Sequence, residues 1–446
     1  MTTTKTMNPA RVLQEVFPRT LLEEVAADCG LIQRNRQFQP VEFFWALMST
    51  ILSGSCQSIA AVLIEYGRLA KQTMNRSSFH RHLNAAMVEF LRRLFAHACA
   101  EAFPKTQTPP LFQRFTQTLV QDSTVLRLRD AMAARWPGSA TAAAAKLNVV
   151  QNLNGGTAHR VQLVRGTRSE VKLAMINATL KGTLSIFDMG YQKYANFARI
   201  ERHQGFFLVR LKDGLNPRIV DSNLTHRGPA IPVAGRRLQE VLPLLKREAL
   251  DVTIGVKVSL QGQPGPIPLA GHQPQTYHWR VVGLRDAETD RYHLYLTNIP
   301  VDWLSAEEIG LAYSCRWEIE RLFAEFKGAY ALGTWSVTRD EAMQVHVYGV
   351  LLAWALSRQL RNRVMAWTDQ TDAATVHLNA PTMRWAKALL HLVRDIVSAL
   401  IARRRCDPHV VTLLQHAARD PNRGRPPLLA REARHPRNAR VAPDAA

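Results

Sequence analysis

The sequence predicts an α/β chain: a mixed sheet flanked by helices, with a β-rich insertion and helical N- and C-terminal regions. Three observations carry this expectation. Between residues 118 and 211 the periodic segments run strand, strand, strand, helix, strand, helix, strand, which describes one sheet covered by helices. Residues 213–302 are rich in Pro and Gly and hold strand-like pieces. On either side, residues 1–105 and 305–405 repeat their apolar side chains at helical spacing.

The elements follow in order. Residues 43–64 carry no charge, but Ser49, Thr50, Ser53, Gly54, Ser55, Gln57 and Ser58 interrupt them. A membrane helix needs about 20 predominantly apolar residues. The stretch therefore predicts two buried helices joined at Ser53-Gly54-Ser55. Phe79, Leu83, Met87, Phe90, Leu91 and Leu94 predict a further helix, with Ser77 or Ser78 as its cap. Arg76, Arg81, Arg92 and Arg93 lie on or beside it. They fit a core helix with a solvated basic face more readily than a DNA-contacting helix. Residues 106–110 read as a linker.

Strands are expected at 118–125, 147–153 and 160–164, with the turn Asn154-Gly155-Gly156 between the last two. A helix over 170–180 follows, then a buried strand over 183–187 that ends at Asp188. A helix over 193–203 and a strand over 206–211 complete the first part. The insertion holds strand-like pieces at 252–260, 277–284 and 292–297. Ser305, with Glu308 three residues on, reads as a capping box that opens a strong helix. Further helices reach about residue 405, and the Arg- and Pro-rich tail from Asp407 is expected to fray.

Composition narrows the function. A chain of 446 residues suits about three domains. Its 46% hydrophobic and 21% charged residues exclude a wholly disordered chain. Lys plus Arg number 57 against 36 Asp plus Glu, a net charge of +21 that points to a polyanionic partner, above all nucleic acid. No basic amphipathic anchor stands out, so a membrane partner is not expected. The five cysteines, at 29, 56, 99, 315 and 406, show neither CxxC nor Cys/His finger spacing. A disulfide framework and a structural zinc site are thus not expected, and a reduced, cytoplasmic chain is expected. The opening MTTTKTMNPA lacks the apolar core of a signal peptide.

Three places carry candidate chemistry. Asp122 and Asp188 each follow an apolar run, so each carboxylate should emerge where a strand ends. Tyr313, Arg316, Glu320 and Lys327 follow on one expected helix. Relative to Glu320 their offsets put all four within roughly 40° of one line. Trp317, Leu322 and Phe326 would anchor the opposite side. Taken singly, a strand-end Asp reads as a turn residue and an Arg/Glu/Lys row as a solvated face. Together, three carboxylates from different elements can share two hard divalent ions at a phosphodiester, while the cations grip neighbouring phosphates.

The spacing Tyr-x2-Arg-x3-Glu-x6-Lys at Tyr313, Arg316, Glu320 and Lys327 resembles the signature of bacterial insertion-sequence transposases of the insertion sequence 4 family. The surrounding text is similar too: Arg316-Trp317-Glu318-Ile319-Glu320 here, and Phe187-Asp188-Met189-Gly190-Tyr191 and the string around Asp122 upstream. Met189 departs mildly, in a slot that is often small or polar. The resemblance covers roughly 115–360. It implies a ribonuclease-H-like core with a DDE triad of Asp122, Asp188 and Glu320, binding two Mg²⁺ (or Mn²⁺) ions. Asp122 and Asp188 would share one ion and Glu320 would help hold the other. It implies a partner too: double-stranded DNA, as terminal inverted repeats and target, engaged by a synaptic dimer in the cytoplasm at the nucleoid.

Tyr313, Arg316 and Lys327 would contact phosphates near the cleaved end. Arg210 and Lys212, closing the fifth strand, could touch the backbone or simply be surface residues. Trp279 and Trp303 could stack on a flipped base or belong to the core. The implied organisation is a helical DNA-binding domain over 1–108, a core in two parts over 109–212 and 304–360, the insertion over 213–303, and a helical C-terminal region with a basic tail over 361–446. Two other readings stay open: a catalytically idle transposase-derived DNA-binding protein, and a related metal nuclease that cuts without joining.

Overall fold

The computed structural model describes residues 7–31, 38–55, 58–101, 108–154, 157–223, 232–245, 248–260, 274–286, 288–369 and 382–418. Runs of β-branched and aromatic residues give strands β1 (Gln117–Arg127), β2 (Ala144–Asn152), β3 (Thr157–Arg165), β4 (Thr183–Phe187), β5 (Phe206–Arg210), β6 (Ile219–Ser222), β7 (Ala249–Val258), β8 (Gln275–Arg285) and β9 (Tyr292–Thr297). All lie in one mixed sheet, in the order β3-β2-β1-β4-β5-β9-β8-β7-β6. Strand β4 is parallel to β1 and to β5, and the other pairs are antiparallel. With parallel neighbours on both sides, β4 is buried along its whole length, which accounts for its unbroken apolar run. The strands of 213–303 continue this sheet rather than form another. Strand β9 pairs with β5 through Leu208↔Thr297, Val209↔Leu296 and Arg210↔Tyr295, and so covers what would otherwise be an exposed edge.

Helices α1 (Pro9–Val16), α2 (Arg19–Asp28), α3 (Pro40–Leu52), α4 (Ile59–Ala70), α5 (Arg76–His82) and α6 (Ala85–Glu101) precede the sheet. Helices α7 (Tyr194–Arg202) and α8 (Leu238–Val241) lie within the sheet's chain segments. After it come α9 (Ala306–Ser314), α10 (Trp317–Gly328), α11 (Asp340–Asp369), α12 (Thr382–Ile401) and α13 (Pro408–Ala418). The first and last helices share one core. Helix α11 packs on α3 and α6, and a Cβ on Gly349 would come within 2.9 Å of Ile51, so only glycine allows so close an approach. Trp385 of α12 donates its indole N–H to the Ser357 carbonyl of α11 (3.1 Å). A second core lies under the insertion, around Phe197, Phe207 and Trp279. Among the described residues no helix is long and apolar enough to cross a membrane. Cys29, Cys99, Cys315 and Cys406 are free; Cys56 lies outside the described residues.

The charge-free stretch forms α3 and α4, joined at Ser53 and Gly54, as expected. Several expectations are corrected. The six apolar residues from Phe79 to Leu94 are all buried, but the helix breaks at Leu83. Asn75 caps α5 through Ser78 N–H (2.7 Å), and Asn84 takes the Met87 N–H (3.1 Å), so neither serine is the cap. Residues 170–180 do not form a helix. Only the 3₁₀ turns Glu170–Lys172 and Ala178–Leu180 occur. The Gln121 side chain bonds Leu173 O (2.7 Å) and Met175 N (2.9 Å), diverting backbone groups that a helix would need. The segment from Asp407 begins with α13 instead of fraying at once; residues 419–446 of the expected tail, and 106–107 of the expected linker, lie outside the described residues. Strand β7 stops at Val258, and β6 had no recognisable sequence signal.

Candidate active site

The last parallel pair between β1 and β4 is Gln121↔Phe187. Asp122 and Asp188 are the next residues on the two strands. Neighbouring strands lie about 4.8 Å apart, so the two acids leave the sheet side by side. Asp188 does end its strand, at the 3₁₀ turn Met189–Tyr191. Asp122 does not: β1 runs on to Arg127, paired only with β2. It is the parallel pairing, and not the strand, that ends at Asp122.

Glu320 arrives from the other side. Ser305 accepts the Glu308 N–H (3.2 Å) and the Glu308 carboxylate accepts the Ser305 N–H (2.8 Å), so the capping box opens α9 as expected. The expected single helix breaks at Cys315. Arg316 N–H bonds Tyr313 O (2.9 Å) and Glu318 N–H bonds Cys315 O (3.1 Å), tight i→i+3 contacts that separate α9 from α10. Tyr313 therefore sits on α9, Arg316 at the junction, and Glu320 and Lys327 on α10. Ile319, Leu322, Phe323 and Phe326 form the buried stripe of α10, which packs against β1. Trp317 is not part of that anchor. It is 57% exposed, with the Arg316 guanidinium 5.9 Å from its ring centre.

One cation gathers the three acids. Arg316 Nη2 lies 2.6 Å from Glu320 Oε1, Nη1 lies 3.8 Å from Asp122 Oδ2, and Nε lies 4.0 Å from Asp188 Oδ1. Its Nε is buried and makes no hydrogen bond among the described residues. Burial pushes the Asp122 carboxyl up to about 6, and the Asp188 charge adds to the rise, while the Ser123 N–H and Arg316 oppose it. Burial also pushes the Tyr313 phenol up to about 12, although Arg316 lies 5.8 Å from its ring. Three carboxyl groups thus face one guanidinium.

This donor set is all oxygen, which suits hard divalent cations. Among the described residues no group of three His, Cys, Asp or Glu side chains stands ready to hold a metal; Arg316 lies against all three carboxylates. The chemistry fits such an ion once the guanidinium yields its place.

The other expected residues are spread more widely. Lys327 is exposed on α10, about 10 Å along the helix from Glu320. Arg210 ends β5 close enough for its charge to act on Tyr313. Lys212 is exposed, and its backbone N–H bonds Gln192 Oε1 (3.0 Å). Trp279 is fully buried, donates to Glu201 (2.5 Å), and is therefore a core residue. Trp303 packs on Phe115 and Phe206 under Arg114. Sequence reasoning missed Glu170. It accepts from Ser123 Oγ (2.8 Å), lies 3.4 Å from Lys146 Nζ, and adds to the negative field at Asp122. No spacing marked it, since it belonged to a segment read as helix.

The family described as Transposase DDE domain matches residues 113–356. The transposase for insertion sequence element IS231C of Bacillus thuringiensis subsp. berliner is 22% identical over 362 residues, covering 75% of each chain. That for IS231E of Bacillus thuringiensis subsp. finitimus is 22% identical over 372 residues, 77% of each. That for IS1151 of Clostridium perfringens is 20% identical over 382 residues, 78% of this chain and 79% of the relative.

Proposed function

Because this chain belongs to the transposase DDE domain family, whose chemistry uses divalent metal, we propose that it moves a bacterial insertion sequence of the insertion sequence 4 type by cutting and joining DNA. The observation that carries this reading is the meeting of Asp122, Asp188 and Glu320 around Arg316. An idle descendant would be expected to lose at least one of these acids. Three antiparallel strands followed by two parallel ones, with an acid beside the end of the parallel pairing, support a ribonuclease-H-like core.

In this reading Asp122 and Asp188 would hold one ion and Glu320 would help hold a second. Two Mg²⁺ or Mn²⁺ ions supply activation of the attacking oxygen and stabilisation of the leaving one. The remaining work belongs to the chain. Arg316 offsets part of the acids' charge and would grip a phosphate of bound DNA. Its planar fork suits that role. Tyr313, held neutral, offers a phenolic hydroxyl beside it. Lys327, and Arg210 and Lys212 at the end of β5, grip the backbone further along. Helices in 1–108 bind terminal inverted repeats, and two copies pair the ends.

The test is purified protein with Mg²⁺ or Mn²⁺ and a duplex ending in the element's own terminal repeats. Cleavage at the repeat end followed by joining to target DNA is expected. Cutting without joining would make the chain a metal nuclease, and no cutting of any repeat-bearing duplex would overturn the reading.

A further inference from the structure

Away from the three acids, a pocket of about 420 Å³ opens where the N-terminal helices meet the core. Arg76 and His80 of α5 line one side, and Arg129, just beyond β1, and Arg339, just before α11, line the other. No carboxylate is among its lining residues. The first residues of α4, Ile59 and Ala60, also face it, so one helix N-terminus adds partial positive charge. The walls are held in place. Arg339 donates to His80 O (2.8 Å) and Leu83 O (3.3 Å), and Arg129 donates to Ser336 Oγ. Burial and the Arg76 and Arg339 charges push the His80 imidazole down; Arg339 also lies 3.8 Å from Glu341 Oε2.

The position of the pocket matters as much as its charge. Asp122, Thr124 and Leu126 share one face of β1. A Cβ on Gly333, in the loop that follows α10, would lie 3.7 Å from Leu126. Helix α10 and its following loop thus lead from Glu320, past Lys327, to the pocket along the acids' own face. Five residues of strand separate Asp122 from Arg127, about 17 Å. Duplex DNA rises about 3.4 Å per base step along one strand, so this span matches about five steps.

We propose that this pocket seats a single backbone phosphate of DNA, about five to six steps from the phosphodiester at Asp122, and thereby fixes the register of the cut. This deepens the transposase reading and rests on it. The phosphate would be held jointly by the N-terminal helices and the core, so binding would lock the two together.

The experiment reads binding, in metal-free buffer, of a duplex ending in the terminal repeat. Arg76→Ala combined with Arg129→Ala should reduce the salt slope of log affinity by about 0.9, the loss of one phosphate contact. Arg76→Lys with Arg129→Lys should keep most of the slope. In the wild type, one neutral methylphosphonate placed five to six steps from the cleaved end should weaken binding. In the alanine pair the same replacement should have no further effect. An unchanged salt slope, or a variant still sensitive to that methylphosphonate, would overturn the pocket. The catalytic reading is judged separately, by cleavage with Mg²⁺, and survives if wild type cuts repeat ends while the pocket variants bind as tightly as it does.

Discussion

Arg316 sets the state of the candidate site. Its contacts with Glu320, Asp122 and Asp188 offset the repulsion among three acids that meet in a half-buried place. Arg316→Ala should therefore melt at lower temperature in metal-free buffer, by the equivalent of about 2 kcal/mol for a lost charged hydrogen bond. Added Mg²⁺ should raise its melting temperature more than that of the wild type, because the ion replaces the missing cation. Equal metal-induced shifts in the two proteins would contradict this role. The acids and the arginine were legible as residue types at a spacing. The bridging was not, because it depends on how β1, β4 and the α9–α10 junction come together. Glu170 was invisible for the same reason, as was the exposure of Trp317, which an apolar residue on a helix does not advertise.

His346 gives a second prediction at this scale. It is fully buried on α11, stacked on Trp335 at 4.6 Å, with one ring nitrogen 3.1 Å from Ala331 O. Burial holds it down to about 4, against 6.5 ordinarily. Above pH 6.5 it is neutral both folded and unfolded. As pH falls from 6.5 towards 4 only the unfolded chain takes the proton, so stability is lost across that window, by on the order of 3 kcal/mol. Melting temperatures at pH 7 and pH 4.5 should fall further in the wild type than in His346→Gln. Equal falls would show that another group governs the acid limb.

Among the elements, a buried pair helps tie the insertion to the candidate site. Arg280 of β8 contacts Asp251 of β7 (2.5 Å) and donates to Leu304 O (2.8 Å), the carbonyl just before the cap of α9. The insertion thereby fixes where the helix pair carrying Tyr313, Arg316 and Glu320 begins. Arg280→Ala would leave the buried Asp251 without its cation and with only the Asn223 amide as side-chain donor, at a cost of about 3–5 kcal/mol. Urea melts should show that loss; one below about 1 kcal/mol would mean that the pair is not what holds α9. Strong local signals made elements legible: the Ser305–Glu308 box, the uninterrupted apolar run of β4, and the serine-glycine joint between α3 and α4. Residues 170–180 misled because Gln121, some fifty positions away, claims their backbone groups, and no local pattern carries that information.

On the scale of the whole molecule, the excess of 57 basic over 36 acidic residues acquires direction. Arg92 and Arg93 are paired with Glu89 on a solvated face (2.7 and 2.9 Å). Arg76, Arg129 and Arg339 instead converge on one pocket between helices and core. The mixed sheet and its helical flanks were legible from the order of elements. That the insertion lengthens the same sheet, and that helices from both ends of the chain share a core with it, was not, since strand pairing at such separation leaves no trace in periodicity. The most direct measurement compares wild type with Asp122→Asn, Asp188→Asn and Glu320→Gln on duplexes ending in the terminal repeats, with Mg²⁺, scoring cleavage and binding together. Each variant should bind these ends nearly as tightly as the wild type and cut none of them. A variant that cuts at the wild-type rate would show that the three carboxylates do not act as one site.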